Sequence, residues 1–330
     1  MQTWLTNCLI LVILCAFTTV GLSQSTSSKD SLQVTQDSAD VDPVIVYWSK
    51  NNTVGININE VAFVNWSAGG NNSISSLFHG EFERNYKKKL TSWKNYLSVR
   101  YGLNAQEGQS LRKSDDRLHF KTTFGYRSDS TDNWYYSANL DFKSQFTNGY
   151  KYPNTENAIS KFMAPGYLLI GIGTQFSHPS RDLNAYISPV TEKSTFVLDQ
   201  RLANEGAFGV EPAEYDDDGN LLKEGGKVRT EFGFLVTSDI KQQVFPNIIL
   251  NSQISLYSDY LNDFGNIDID WQVGLDMKVN DFVKANIGSH LLYDNDTKYK
   301  EDVNGDGDLE TLGPRVQWKQ FLGIGFTYVF

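Results

Sequence analysis

Cysteine is nearly absent from this chain of 330 residues, which holds only Cys8 and Cys15, both near its start. A fold cross-linked by disulfides, or a zinc site built on thiolates, is therefore excluded for the rest of the sequence. A basic excess is also lacking. The formal net charge is −10, which argues against a nucleic-acid-binding surface. The mean hydropathy of −0.38 excludes a bundle of membrane-spanning helices.

Charged side chains are missing from residues 1–23. The apolar run of this segment, 9–14, is shorter than the ~20 residues that span a bilayer as a helix. Gly21 and Ser23 supply small side chains at the positions that a signal peptidase reads. We therefore predict a secretory signal peptide over 1–23, which leaves a mature chain without cysteine. A lipoprotein signal at Cys15 is the alternative.

The rest of the chain alternates between apolar and polar residues. In the segment 134–146, Leu140 and Phe142 share one face, whereas Asp141 and Lys143 share the other. Successive side chains of a strand point to opposite faces, so this segment predicts a strand with one apolar and one polar side. Similar segments lie at 53–66, 73–86, 92–104, 117–127, 167–176, 182–189, 227–240, 247–260, 266–280, 282–293 and 316–330. Together they predict an all-β fold of about twelve strands.

Two architectures fit such a run of antiparallel strands. A soluble sandwich turns its apolar faces inward, whereas a transmembrane barrel turns them to lipid and its polar faces to the lumen. Most segments reach the ~9–11 residues that a tilted membrane strand needs. Connections after even-numbered segments are short, and most of those after odd-numbered segments are long. This sorting predicts a transmembrane antiparallel up-and-down β-barrel over 47–330, with short periplasmic turns and long extracellular loops, after a disordered polar linker over 24–46.

Aromatic residues mark several predicted strand ends, where the interfacial girdles of membrane barrels lie. They are Trp66, Trp93, Trp134, Tyr260, Tyr293, Trp318 and Tyr328. Apolar residues also occupy every second position at the end of the chain: Leu322, Ile324, Phe326, Tyr328 and Phe330. This ladder is similar to the signal that the barrel-assembly machinery recognises. We therefore expect that machinery as a partner during biogenesis, and the bacterial outer membrane as the location after export.

Five short motifs carry a resemblance to a known family. They are Arg112–Arg117 (RKSDDR), Asp141–Phe146 (DFKSQF), Phe162–Tyr167 (FMAPGY), Ser188–Lys193 (SPVTEK) and Gly206–Val210 (GAFGV). In these motifs the chain resembles domain-of-unknown-function family 3078 (DUF3078), known mainly from Bacteroidetes. The resemblance covers roughly residues 45–330. It implies an outer-membrane barrel without an assigned activity, and it supplies no catalytic residue.

Oxygen-bearing side chains are concentrated in the segment 302–308. The candidate ligands are Asp302, Asn304, Asp306 and Asp308. The first three match positions 1, 3 and 5 of a calcium loop, with glycine at position 6. Position 12 is Gly313 rather than a bidentate glutamate, which excludes a complete EF-hand. The segment is a candidate Ca²⁺ site, and a solvated Asp/Asn/Gly turn is the favoured interpretation.

Charged side chains are frequent on the polar faces of the predicted strands. Those expected to face the lumen are Arg100, Arg117, Lys121, Arg127, Asp141, Lys143, Arg229, Glu231, Asp268, Asp270, Asp276, Lys278 and Lys284. Opposite signs stand two residues apart on one strand in three places: Asp141 and Lys143, Arg229 and Glu231, and Asp276 and Lys278. Either paired charges fill the interior, since buried ions must be paired, or the interior is a narrow channel whose charges select solutes.

Three classes of function follow from these features. The leading hypothesis is a passive outer-membrane protein, either a small-solute pore or a structural or surface barrel, in contact with membrane lipid and lipopolysaccharide. The second is a binding module whose long loops capture Ca²⁺ or another ligand. The third, an outer-membrane esterase, is disfavoured because no Ser, His and acidic partner share one predicted face. We expect no enzymatic activity, no cofactor apart from Ca²⁺ at the loop, and no nucleic-acid partner.

Overall fold

The computed structural model describes residues 46–62, 71–178, 182–262, 264–301 and 310–330. The predicted signal peptide lies outside these residues, as does the predicted linker up to residue 45. In the part of the chain that is described, no helix is long and apolar enough to cross a membrane.

Twelve strands form a closed antiparallel barrel. They are β1 (Trp48–Val61), β2 (Ser73–Lys88), β3 (Thr91–Gln106), β4 (Arg112–Tyr126), β5 (Trp134–Ser144), β8 (Gly166–His178), β9 (Leu183–Phe196), β12 (Val228–Phe245), β13 (Ile248–Asp259), β14 (Asp268–Lys278), β15 (Val283–Tyr293) and β18 (Gln317–Val329). Short hairpins outside the barrel are β6 (Gly149–Tyr150) with β7 (Ala158–Ser160), β10 (Glu214–Tyr215) with β11 (Leu221–Lys223), and β16 (Lys298–Glu301) with β17 (Glu310–Pro314). Each barrel strand pairs with the next barrel strand along the chain, and β18 pairs with β1. The predicted all-β, up-and-down barrel of about twelve strands is confirmed.

The connections of the barrel are longer at one end than at the other, with one exception: 107–111 has five residues, whereas 127–133 at the opposite end has seven. At one end, which we call the short-turn end, the strands are joined by 89–90, 127–133, 179–182, 246–247 and 279–282. At the other, the long-loop end, they are joined by 62–72, 107–111, 145–165, 197–227, 260–267 and 294–316. The predicted division between short turns and long loops is therefore confirmed.

The outer surface of the barrel is apolar because the apolar face of each alternating strand points away from the lumen. Exposed fractions on this surface reach 68% for Ile172 and 69% for Leu322. Aromatic side chains border the surface at both ends: Trp93 and Trp134 lie near the short-turn end, and Trp318 lies near the long-loop end. An apolar band between aromatic belts is the surface of a membrane-spanning barrel. Trp66 lies outside the described residues.

The largest difference from the predicted strands concerns β9. The prediction ended this strand at residue 189, whereas it continues to Phe196. Its register against β12 shifts between Gly233 and Leu235, so β9 carries one extra residue near Pro189. A bulge tolerates proline because the missing N–H is not needed in the ladder there. The sequence pattern breaks at this point, and for that reason Lys193 was placed in a loop.

The barrel closes through a short seam between β1 and β18. Residues 53–57 of β1 pair with residues 325–329 of β18. The two strands approach closely at Gly325, where an added Cβ would lie 2.0 Å from Asn57 Oδ1 and 2.5 Å from the Ile56 carbonyl oxygen. Glycine is required at this position because no larger residue leaves room for the neighbouring backbone.

Two of the long loops pack against each other. The short helix α1 (Gln200–Asn204) lies in the loop 197–227. The buried apolar cluster consists of Ala164, Val197, Leu202, Ala203 and Val210. Ala164 belongs to the loop 145–165, so the cluster joins the two loops. A salt bridge of 2.5 Å between Lys161 Nζ and Asp199 Oδ2 adds a second contact between them.

Candidate functional site in the barrel lumen

The inward faces of the strands enclose a cavity of about 690 Å³. Eight of the predicted lumen charges line it: Arg100, Arg117, Lys121, Asp141, Lys143, Asp270, Asp276 and Lys284. Lys94 and Lys241 add basic side chains, and Glu81, Glu83, Asp182 and Asp239 add acidic ones. The lining thus carries seven carboxylates and seven lysine or arginine side chains, so its formal charge is balanced.

Several salt bridges cross the lumen, including Lys121 with Asp239 at 3.1 Å and Lys319 with Asp115 at 3.0 Å. A further one joins strands that are five positions apart around the barrel. Lys143 Nζ on β5 lies 2.8 Å from Asp270 Oδ2 on β14, and His290 Nε2 lies 2.8 Å from the other oxygen of Asp270. In the order around the barrel that begins at β1 and β18, β14 is fourth and β5 is ninth. The bridge therefore joins nearly opposite walls. Both Lys143 and Asp270 are mostly shielded from solvent, with side chains 24% exposed.

A second contact joins walls that are directly opposite. Arg117 Nη1 on β4, the tenth strand in the same order, donates a hydrogen bond of 2.7 Å to Gln272 Oε1 on β14. Arg117 Nη2 lies 2.9 Å from His119 Nδ1, and His119 Nε2 lies 3.0 Å from Asp141 Oδ1. We call Arg117, Lys143, Asp270 and Gln272 the transverse bridge. Its contacts span the lumen from β4 and β5 to β14.

Further ion pairs lie between the transverse bridge and the long loops. Lys193 Nζ is 2.7 Å from Asp268 Oδ2 and 3.4 Å from Glu231 Oε2. Arg229 contacts Glu231 at 3.1 Å and Asp296, in the loop 294–316, at 2.5 Å. Arg229 also donates to the Gly209 carbonyl oxygen of another long loop. Two long loops are therefore tied to β12 at the long-loop end of the lumen.

The opposite charges that stand two residues apart on one strand form an ion pair in one of three cases. Arg229 contacts Glu231, whereas Lys143 contacts Asp270, and Lys278 contacts Asp281 of the next turn at 2.7 Å. Cα atoms two residues apart on a strand are separated by roughly 6.5–7 Å, so such neighbours meet only when their side chains lean toward each other, while long side chains from opposite walls converge inside a small barrel.

The other predicted lumen residues lie at the two ends. Glu231 and Asp268 belong to the Lys193 cluster at the long-loop end. Arg127 and Lys278 lie at the short-turn end, where Arg127 Nη1 donates to the Asp132 carbonyl oxygen at 2.8 Å. The sequence prediction missed a second set of inward charges: Lys94, Asp115, Lys193, Asp239 and Lys319. Alternation placed Lys319 on a polar face, and this signal could have identified it.

The predicted calcium ligands, Asp302, Asn304, Asp306 and Asp308, lie outside the described residues. The flanking strands β16 and β17 pair with each other. Among the described residues, the carboxylates of Asp268, Asp294 and Asp296 lie within 4.8 Å of one another. Lys193 and Arg229 already contact this group and offset part of its negative charge. The Ca²⁺ site therefore stays a prediction.

The C-terminal ladder lies on the outer surface of β18. Leu322, Ile324, Phe326, Tyr328 and Phe330 are all at least half exposed. Gly323, Gly325 and Thr327 alternate with them, and Thr327 is buried. The ladder is therefore part of the apolar band.

Asp199, which lies outside the barrel strands, has a shifted pKa. Asp199 precedes α1 and accepts a hydrogen bond of 3.1 Å from the Leu202 N–H. The Lys161 ammonium lowers the pKa of the Asp199 carboxyl group below its ordinary value by donating a hydrogen bond to it, and the Leu202 N–H acts in the same direction. Asp199 is therefore a charged link between the two packed loops.

Solved structures that are similar to the chain include an outer-membrane channel and two autotransporter domains. The COG4313 outer membrane channel from Pseudomonas putida F1 is 9% identical, with a TM-score of 0.39 and coverage of 90% of this chain and 100% of that chain. The translocator domain of autotransporter NalP from Neisseria meningitidis is 11% identical, with a TM-score of 0.33 and coverage of 86% and 90%. The β domain of the Bordetella autotransporter BrkA is 8% identical, with a TM-score of 0.31 and coverage of 85% and 99%. Such values carry no information on what this chain does.

No curated protein matches the sequence. Residues 58–150 match a family model described as "Protein of unknown function (DUF3078)". The motifs Arg112–Arg117 and Asp141–Phe146 lie inside this range, and the other three motifs lie beyond it. The resemblance to DUF3078 that these motifs indicated is confirmed over residues 58–150.

Proposed function

We propose that this chain is a passive outer-membrane β-barrel with an interior closed by ion pairs, serving as a structural or surface barrel. The observation that carries the proposal is the contact between Lys143 and Asp270 across the lumen at 2.8 Å. Arg117 and Gln272 support it with a second contact between opposite walls. A channel for solutes needs a continuous polar path, and the transverse bridge interrupts that path.

The apolar outer surface supports the membrane location. Following the usual orientation of outer-membrane barrels, we assign the short-turn end to the periplasm and the long-loop end to the cell exterior. Lipid and lipopolysaccharide would then surround the barrel. We further propose that the chain has no enzymatic activity and that the barrel-assembly machinery inserts it.

Planar-bilayer recordings of the refolded protein test the closed interior. We expect wild type to give no stable conductance steps, and Lys143→Ala/Asp270→Ala to open a path and produce them. Lys223→Ala/Glu211→Ala is the matched control, since it removes an exposed salt bridge of 2.9 Å in a long loop. This variant should give no conductance steps. Stable conductance of wild type, with ion selectivity altered by Arg117→Ala or Asp270→Ala, would replace this proposal with a small-solute pore.

A binding role of the long loops is the second candidate. It is supported by the buried cluster that joins two loops and by the pairing of β16 with β17 on either side of the segment 302–309. Calorimetry of the full chain with Ca²⁺ tests the metal part. Heat of binding that disappears in Asp302→Ala/Asp306→Ala would support it, and equal titrations of both proteins would reject it.

A further inference from the structure

Two basic side chains lie directly opposite each other on the outer surface of the barrel. Lys50 of β1 is the register partner of Arg84 of β2, and both are exposed. They share the outward face with Trp48 and Tyr86, the next outward pair towards the short-turn end. Like charges in directly opposed positions of a sheet are destabilising. A bound anion would offset the repulsion between these two charges on the outer surface.

In the part of the chain that the structure describes, no carboxylate side chain contacts this pair. Among the described residues, neither Lys50 nor Arg84 takes part in a side-chain salt bridge. The outward residues next to them are amides and aromatic or apolar side chains: Asn52, Phe82, Tyr86 and Asn95. Glu83, beside Arg84 in sequence, lines the lumen on the opposite face of the sheet. The positive charge on this part of the outer surface therefore has no acidic side-chain partner among the described residues.

The guanidinium of Arg84 is held in place by the barrel. Its Nη1 donates to Asn52 Oδ1 at 2.6 Å and to the Glu83 carbonyl oxygen at 2.7 Å. Asn52 is itself 3% exposed and donates to the Phe330 carbonyl oxygen at 3.0 Å. In the described part of the chain, Nη2 and Nε of Arg84 have no partner. A fixed guanidinium with unused donors matches the oxygens of a phosphate group.

Aromatic rings form the row beside the two charges. The rings of Trp48 and Tyr86 are 5.2 Å apart, and those of Trp48 and Trp93 are 5.9 Å apart. Trp48 and Trp93 are 47% and 42% exposed. Tryptophan and tyrosine prefer the level of the lipid headgroups, where one edge of the ring is wet and the other apolar. A hollow lined by Tyr47, Trp48, Tyr86 and Lys87 adjoins this row.

We propose that Trp48, Lys50, Arg84, Trp93 and Asn95, the headgroup patch, bind the phosphate of an anionic phospholipid. The inference rests on the proposed function, which places this end of the barrel in the periplasmic leaflet. A lipid rather than free phosphate is favoured because Phe82 and Leu97 continue the same outward face above the charges, where acyl chains would lie. The patch would then prefer phosphatidylglycerol over phosphatidylcholine.

Native mass spectrometry of the full chain in detergent tests this preference, with phosphatidylglycerol and phosphatidylcholine as probes. We expect wild type to bind phosphatidylglycerol more tightly, and Lys50→Gln/Arg84→Gln to lose about five-fold in that affinity for each charge removed. Lys223→Gln/Lys227→Gln removes two exposed charges from a long loop and should retain the preference. Inorganic phosphate should compete only weakly.

Unfolding by urea in vesicles gives a second measurement. Adding phosphatidylglycerol to phosphatidylcholine vesicles should raise the unfolding midpoint of wild type more than that of Lys50→Gln/Arg84→Gln. An equal response of the two proteins, no lipid preference in wild type, or competition by phosphate as strong as that by lipid would overturn the inference. Failure of wild type to insert into any vesicle would instead count against the proposed function, so the two failures are distinguishable.

Discussion

Asn52 of β1 and Phe330 at the end of β18 are joined by three hydrogen bonds. Two connect the main chains, at 3.3 and 3.0 Å, and the third runs from Asn52 Nδ2 to the Phe330 carbonyl oxygen at 3.0 Å. The same Asn52 side chain accepts the hydrogen bond from Arg84. A single buried amide therefore links the closing seam of the barrel to β2.

Asn52→Ala should weaken this seam. The substitution removes one bond to Phe330 and leaves Nη1 of Arg84 with one partner fewer, so we expect a loss of about 1–3 kcal/mol in the free energy of unfolding. Urea titration in vesicles, followed by the heat-modifiable mobility of the folded barrel, measures it. Asn59→Ala, on the exposed part of the same strand, should change little. Equal stability of the two variants would contradict the role of Asn52.

Gly325→Ala should impair barrel closure. The new Cβ would meet Asn57 Oδ1 at 2.0 Å and the Ile56 carbonyl oxygen at 2.5 Å, and a backbone atom cannot move aside at low cost. Gly274→Ala is the matched control, since its Cβ would come no closer than 3.3 Å to a neighbour. We expect a reduced yield of folded barrel for Gly325→Ala alone in refolding assays. Similar yields for both would show that the seam can relax.

Removing one partner of the transverse bridge should cost more than removing both. Asp270→Asn leaves the shielded Lys143 ammonium without its carboxylate, and loss of a buried charge partner costs about 3–5 kcal/mol. Lys143→Met/Asp270→Leu removes both charges and should recover part of that loss. Urea unfolding of wild type, Asp270→Asn and Lys143→Met/Asp270→Leu measures the three free energies of unfolding. A double variant less stable than Asp270→Asn would contradict this account.

The packing of the two long loops should depend on pH through Asp199. Hydrogen bonding from Lys161 lowers the pKa of this carboxyl group in the folded protein, so its stabilisation is complete above the unfolded value of ~3.9 and is lost as pH falls through the folded pKa. Hydrogen-exchange protection of residues 200–210 should fall over that range, after correction for intrinsic exchange. Asp199→Ala should lower protection by about 1 kcal/mol at neutral pH, while Asp217→Ala should not.

The C-terminal ladder should matter during assembly in cells. Tyr328→Ala/Phe330→Ala removes two outward aromatic residues, and we expect less heat-modifiable barrel in the membrane fraction. Val329→Ala lies between them on the opposite face of the strand and serves as the control. If both variants assemble as wild type does, the ladder is part of the apolar band only.

The sequence alone determined the number of strands, their alternation and the division into short turns and long loops. Side chains alternate between the two faces of a strand because of strand geometry, and the outward face is apolar because it contacts lipid. Both features are therefore visible in the order of the residues. The identity of many inward charges was also predictable, as for Arg117 and Asp270. The extension of β9 to Lys193 was not, because the bulge at Pro189 reverses the phase of the pattern.

Only the tertiary structure decided which charges meet. Lys143 and Asp270 are 127 residues apart, and their contact depends on the number of strands, the register of each pair and the width of the lumen. The sequence shows that Asp141 and Lys143 carry opposite charges on one face, but it does not show that Lys143 reaches across the lumen to Asp270, where side chains from opposite walls converge. The opposition of Lys50 and Arg84 likewise required the register between β1 and β2. Alternation assigns each residue to a face of its own strand, whereas contacts between strands are fixed only when the barrel closes.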